Sequence, residues 1–292
     1  MSVKISSQQI TRDYFDSLQV EMRTIDSVEA STKTTLFGAD LSTPVMVAAL
    51  SYLHEVRPNG MLETAKGAAA AGTIMWSGIG PEDELRELIA AGAKLIKIVK
   101  PYADKDLIFK KLEHAEKAGV LAVGMDTDFV FGRMQNKYSA RGFPVSPKTL
   151  ADIKSFIRAT KLPFIVKGVL SERDAAKALE AGAGGIVVSH HNGVLDYAVP
   201  PLRVLPRIKK LVGDTIPVFV DCGIQSGMDA FKALALGASG VCVGAQVIAG
   251  LSKDGKAGVQ KVLEDISAEL NWAMNMTGSP DIAHIDPSVI WS

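Results

Sequence analysis

Apolar residues in this chain fall into eight short, nearly continuous runs. The runs are Pro44–Leu50, Gly72–Gly78, Ala93–Val99, Val120–Asp126, Pro163–Val169, Gly184–His190, Ile216–Cys222 and Gly240–Gln246. Runs of this length without polar alternation predict parallel strands covered on both faces. Between them lie stretches with helical periodicity: Gly60–Ala71, Glu82–Ala91, Lys105–Ala118, Pro147–Thr160, Glu172–Ala181, Pro201–Leu211 and Met228–Leu236, then a last helix over Val259–Met276. Gly72, Gly92, Gly119, Gly182 and Gly237 suit helix C-caps, and Ser171 and Ser226 suit N-caps. Eight strand–helix units predict an α/β fold, a single-domain (β/α)8 TIM barrel over residues 1–292 with strands from about 44 to 246. A doubly wound open sheet is the alternative, disfavoured by the even run of eight units. The N-terminal extension before Pro44 is expected to close the bottom of the barrel. The longest insertion after a strand, Asp128–Ser146, is expected to form a lid over the top face.

Composition narrows the partners. Lys plus Arg equals Asp plus Glu at 32 each, and no basic run resembles a phosphate-backbone footprint. This balance argues against nucleic acid or an anionic membrane and leaves a small-molecule substrate. The two cysteines, Cys222 and Cys242, lie inside apolar runs and read as buried thiols of a reduced, cytoplasmic protein. No stretch resembles a signal-peptide core, and no apolar run reaches the ~20 residues of a membrane span.

The candidate chemistry sits at predicted strand ends, where a barrel of this type places its active site. Asp126 ends the fourth run, Lys167 lies near the end of the fifth, Ser189-His190-His191-Asn192-Gly193 straddles the end of the sixth, and Asp221 lies at the end of the seventh. A lysine after Ile165-Val166 is expected to point into the barrel mouth, and Gly168 behind it to allow close approach of a flat ligand; the alternative is a strand-end lysine that only extends its head to solvent. His191 is the candidate base and Asp126 its carboxylate partner, which would fix the tautomer of the ring. His54, His114 and His284 read as structural. His190 and His191 point in opposite directions on an extended backbone, so no metal is expected there. Gly223 after strand seven and Gly244 after strand eight predict a backbone cup for a phosphate, with ordinary tight turns as the alternative.

These residues identify a resemblance. The stretches "IPVFVDCGIQSGMDAFKALALGASGVCVGAQVIAGL", "LPFIVKGVLSERDAAKALEAGAGGIVVSHH" and "TTLFGADLSTPVMVAA" resemble the FMN-dependent α-hydroxy-acid oxidase and dehydrogenase family, which includes glycolate and lactate oxidases. The likeness runs from about Ile10 to the last helix, whose "GVQKVLEDISAELNWAMNMTGSPDIAHI" also follows the family. It implies a barrel that binds FMN at its top face. By resemblance, Lys167 stabilises the reduced flavin, His191 takes a proton from the substrate, and Asp126 supports His191. Ser77, Ser189, Asp221, Gly223 and Gly244 fall on flavin- or phosphate-side positions, and Ala48 and Ala49 pack along the flavin. The family also implies a homotetramer.

The departures are specific. The run after strand six is one residue shorter than the family's and lacks its carboxylate-binding arginine; Val194 stands in that region. Met134 occupies the position of the second such arginine, beside Arg133. Lys97 stands for the flavin-contacting glutamine, Val99 for a tyrosine, Gly124 for a threonine and Ala245 for the phosphate arginine. Gln225 or Ser226 stands for the arginine of the strand-seven loop. Arg133, Lys137 and Lys97 are the cations available to take over a substrate or cofactor contact. The expected activity is FMN-dependent oxidation of an α-hydroxy-acid-like substrate. The alternatives are an isomerase or lyase on the same barrel, with or without flavin, and a non-catalytic relative that binds FMN or another phosphorylated ligand.

Overall fold

The computed structural model describes residues 6–81, 83–131, 139–140 and 142–291. Eight parallel strands close into a barrel: β1 Val45–Leu50, β2 Ile74–Ser77, β3 Lys94–Val99, β4 Ala122–Asp126, β5 Phe164–Val169, β6 Gly185–Val188, β7 Val218–Val220 and β8 Gly240–Val243. Each strand pairs with its chain neighbours, and β8 pairs back onto β1 through Val241↔Val45 and Val243↔Val47. The helices are α1 Gly60–Ala70, α2 Glu84–Ala90, α3 Lys105–Ala118, α4 Leu150–Arg158, α5 Glu172–Ala181, α6 Pro201–Val212, α7 Gly227–Ala235 and α8 Ala245–Met276. The barrel expectation holds and the open sheet is excluded. The eighth apolar run was too long: Ala245 already begins α8, which is interrupted at Asp254 and Gly255.

Strand parity sorts the core into two layers. Met46, Trp76, Ile98, Ile165, Phe219 and Cys242 fill the barrel interior. Val47, Met75, Val99, Val123, Val166 and Val220 point outward and bury the helices against the sheet. Side chains two apart on a strand share a face, so the polar groups that end the inward rows converge on the mouth.

The N-terminal extension does two things rather than one. The hairpin Thr34–Leu36 and Ala39–Leu41 places Leu36 and Leu41 against the interior layer. Phe37 lies 5.9 Å from Phe219, which makes an edge contact with Trp76 at 5.2 Å. This segment closes the bottom, as expected. The preceding helix, Ser7–Ser17, packs instead at the top, over the loops after β6 and β7. There Ser7 Oγ donates to the Leu195 carbonyl and accepts from the Ala198 N–H (2.9 Å). Arg12 forms a two-pronged ion pair with buried Asp229 (2.8 and 3.0 Å) and donates to the Gly223 carbonyl (3.2 Å). Gly223 makes this docking possible: a Cβ there would lie 2.8 Å from Thr11 Cγ2.

Of the insertion after β4, the described part includes a short pairing of Ser139–Ala140 with Phe143–Pro144. Arg133, Met134 and Lys137 lie outside the described residues.

Candidate active site

A cavity of about 520 Å³ opens at the C-terminal ends of the strands. It is lined by Ala48 and Ala49 from β1, by Lys167, by His190 and His191, by Asp221 and Gly223, and by Gly244, Ala245 and Gln246 at the start of α8. This is the size and composition range of a cofactor pocket.

The centre is a charge network set by register. Lys167 and Asp126 are direct partners across β4 and β5 and share the inward row. Lys167 Nζ lies 3.1 Å from Asp126 Oδ1 and 3.2 Å from Asp221 Oδ2. Burial opposes the charge on Lys167, yet these two carboxylates hold its ammonium well above the usual lysine range. Burial likewise raises Asp126, but Lys167 and Lys100 outweigh it and keep its carboxyl well below the usual range. Lys100 Nζ lies 2.5 Å from Asp126 Oδ2 and sits over the Phe129 ring at 3.9 Å.

His191 lines the cavity from a left-handed backbone conformation (φ 49°), followed by Asn192 (φ 58°) and Gly193 (φ 89°). Two consecutive non-glycine residues in this region store backbone strain, which clusters at functional sites. Ser189 Oγ accepts from the His191 N–H (3.0 Å) and fixes the turn. The ring stacks near Phe129, with centroids 5.1 Å apart and planes tilted by 30°. Its Nδ1 bonds Asp128 Oδ1 at 3.0 Å, whereas Asp126 Oδ1 is 3.7 Å away. The expected Asp126–His191 hydrogen bond is therefore not the one observed; both oxygens of Asp126 are turned to ammonium groups. Gly168 has a different role from the one expected. A Cβ at this residue (φ +97°) would lie 2.4 Å from Asp128 Cγ, so the glycine clears space for Asp128 rather than for a flat ligand.

His190 turns away from this network. Its Nδ1 accepts from the Gly193 N–H (3.0 Å), so its Nε2 carries the proton donated to Thr11 Oγ1 (2.8 Å). Burial lowers its affinity for a second proton. It is a strut between the barrel and the N-terminal helix.

Ser77 and Lys97 do not face the cavity. They are register partners on β2 and β3, and both belong to the outward row with Met75, Leu95 and Val99. Lys97 Nζ donates to the Gly78 carbonyl and contacts Ser77 Oγ (3.4 Å). Burial lowers its pKa to about 8. Correspondence by sequence was one residue out of phase here: the inward row of β3 continues through Ile98 to Lys100. Lys100 and Asp128 are the polar residues that the sequence reading missed. Counting two onward from Ile98 and from Asp126 would have raised both.

The phosphate cup is half open. Gly244 precedes α8 without a side-chain cap, so the first-turn N–H groups of that helix face the cavity with their positive dipole end. A Cβ on Gly244 would reach only ordinary contact with Ala48 (3.6 Å) and fill the cleft. The strand-seven half is already engaged: Gln225 N donates to Asp229, Gly227 N to Glu269 and Asp229 N to Ser226. A small, glycine- and alanine-lined cleft with an uncapped helix start at one end and a buried ammonium at the other fits FMN. Asp126, Asp128 and His191 also offer three ligand-type atoms within 4.8 Å of one another. Two ammonium groups against Asp126 make that cluster a poor host for a cation.

Comparison with known proteins agrees with this arrangement. The family model described as FMN-dependent dehydrogenase matches residues 4–152 and 145–292. A 2-hydroxyacid oxidase of Dictyostelium discoideum is 33% identical over 300 residues, covering 91% of this chain and 77% of its own. A glycolate oxidase of Spinacia oleracea is 30% identical over 302 residues, covering 91% and 82%. Among solved structures, mandelate oxidase with (S)-2-phenylpropionate superposes with a TM-score of 0.89 at 30% identity, covering 98% of this chain and 89% of its own. The chain belongs to the FMN-dependent dehydrogenase family.

Proposed function

We propose that this protein oxidises a 2-hydroxy acid with FMN as cofactor and His191 as base. The observation that carries the reading is His191 in the cavity wall, its Nδ1 bonded to a carboxylate, beside the buried Lys167 ammonium. A carboxylate only accepts, so Nδ1 carries the hydrogen and Nε2 is left as the basic nitrogen. His191 takes a proton from the substrate there, and Asp128 and Asp126 stabilise the imidazolium that results. FMN, when bound, supplies the acceptor for the hydride equivalent that leaves the α-carbon. Lys167 offsets negative charge that develops beside it. Gly244, Ala245 and Gln246 would hold the phosphate through N–H groups, and Ala48 and Ala49 would flank the flat ring. Arg133 and Lys137 are the candidate cations for the substrate carboxylate. The test is anaerobic mixing of the FMN-loaded protein with glycolate, L-lactate and L-mandelate while flavin absorbance is followed. Bleaching by at least one acid is expected; a protein that binds FMN and is bleached by no 2-hydroxy acid contradicts the reading.

We further propose a cytoplasmic homotetramer, the assembly by analogy with the family and the compartment from the cysteines. Cys222 and Cys242 are both free thiols, which suits a reducing compartment. Met22, Ile25, Trp272 and Trp291 are exposed and offer apolar surface to further copies of the chain. Light scattering that returns a monomer would contradict the assembly, and recovery in a membrane or secreted fraction the location.

A further inference from the structure

We propose that Asp128, rather than Asp126, is the residue that orients His191 and fixes its tautomer. The inference rests on the reading of His191 as the base. Four features point to it. Asp128 Oδ1 lies at hydrogen-bond distance from Nδ1 (3.0 Å), and Asp126 Oδ1 lies beyond it (3.7 Å). Asp126 serves the ammonium groups instead: Lys100 Nζ hydrogen-bonds its Oδ2, and Lys167 Nζ lies 3.1 Å from its Oδ1, which makes no hydrogen bond, in a side chain that is only 2% exposed. Gly168 leaves the volume that Asp128 needs, since a Cβ there would meet Asp128 Cβ and Oδ1 at 2.7 Å. The Asp128 Oδ2 atom is buried without a hydrogen bond, so the carboxylate is placed at a cost in solvation, and among the described residues its side-chain hydrogen bond goes to His191.

The two acidic groups then divide the labour. Asp126 balances the pair of ammonium groups and keeps Lys167 charged toward the cavity. Asp128 accepts from Nδ1 and leaves Nε2 free to take a proton. The Phe129 ring, two residues along from Thr127, limits rotation of the imidazole. Asp128 is thus a positioning residue, acting on the reaction through His191.

The test reads the tautomer directly in the FMN-loaded protein labelled with ¹⁵N-histidine, at a pH where the ring is neutral. The wild type should show His191 protonated at Nδ1. Asp128→Asn brings an amide that can donate to Nδ1, so the ring should shift toward the Nε2–H form, and flavin reduction should slow by about 10²-fold or more. Asp126→Asn should leave the Nδ1–H tautomer in place. Flavin content reports folding, and Asp128→Ala, which should give mixed tautomers, serves as the second variant. A tautomer that follows Asp126→Asn, alone or with Asp128→Asn, or that follows neither, overturns the proposal. The base reading fails separately: His191→Ala reducing flavin at the wild-type rate would sink it whatever the tautomer result.

Discussion

Gly168 lies directly against the Asp128 carboxylate, so close that a single added methyl would sit 2.4 Å from Asp128 Cγ. The residue that follows the cavity lysine thereby controls the carboxylate that holds the cavity histidine. Gly168→Ala must displace Asp128 and also strain a backbone at φ +97°. Flavin reduction should fall by about 10²-fold, the usual cost of moving a catalytic group by roughly 1 Å. FMN affinity, by fluorescence titration, should change little. A variant that reduces flavin normally would show that Asp128 has no positioning role.

His190 and His191 should separate cleanly. His190→Ala removes the bonds to Thr11 and Gly193 that fasten the N-terminal helix and the β6 loop. The expected loss is about 1–3 kcal/mol, seen as a lower urea midpoint. The reduction rate in the surviving folded protein should stay within about tenfold of wild type. If His190→Ala abolishes reduction while His191→Ala is silent, the assignment of the base is wrong.

Lys97 should matter for stability and not for flavin. Its folded pKa is about 8, below the ordinary 10.5, because burial disfavours the charge. The unfolded chain therefore binds more protons between those values, and stability rises with pH across that window. Below pH 8 the buried ammonium carries a penalty of roughly 3 kcal/mol, from the size of the shift. Lys97→Met should be more stable than wild type near neutral pH, with the gap closing toward pH 10.5. Equilibrium denaturation at several pH values measures it. Loss of FMN binding in this variant would contradict its placement on the outward row.

Ala245 stands exposed at the start of α8, next to the open half of the phosphate cup. Ala245→Arg should tighten FMN by about tenfold, the low end of a charge-assisted hydrogen bond. Riboflavin, which lacks the phosphate, should gain nothing. Equal gains for both ligands would place the effect outside the phosphate.

The barrel was legible because its strands are continuous apolar runs and its helices end at glycines, and these signals are local. The strand-end residues Asp126, Lys167, His191 and Asp221 were legible for the same reason, since strand ends bring them together at the mouth. Lys97 and Ser77 were placed on the wrong face because a one-residue slip in correspondence reverses every side chain of a strand. Asp128 was passed over because it lies beyond the apolar run, in a loop whose path depends on the missing side chain of Gly168. The top-face position of helix Ser7–Ser17 depends on Arg12 finding Asp229, more than two hundred residues away, and nothing near Arg12 signals it.

The most direct measurement is anaerobic flavin reduction by the best 2-hydroxy acid, compared between wild type and His191→Ala at equal FMN occupancy. The account predicts an unchanged oxidised flavin spectrum and a reduction rate lower by about 10²-fold or more in the variant. A variant that holds FMN and is reduced as fast as wild type would contradict it.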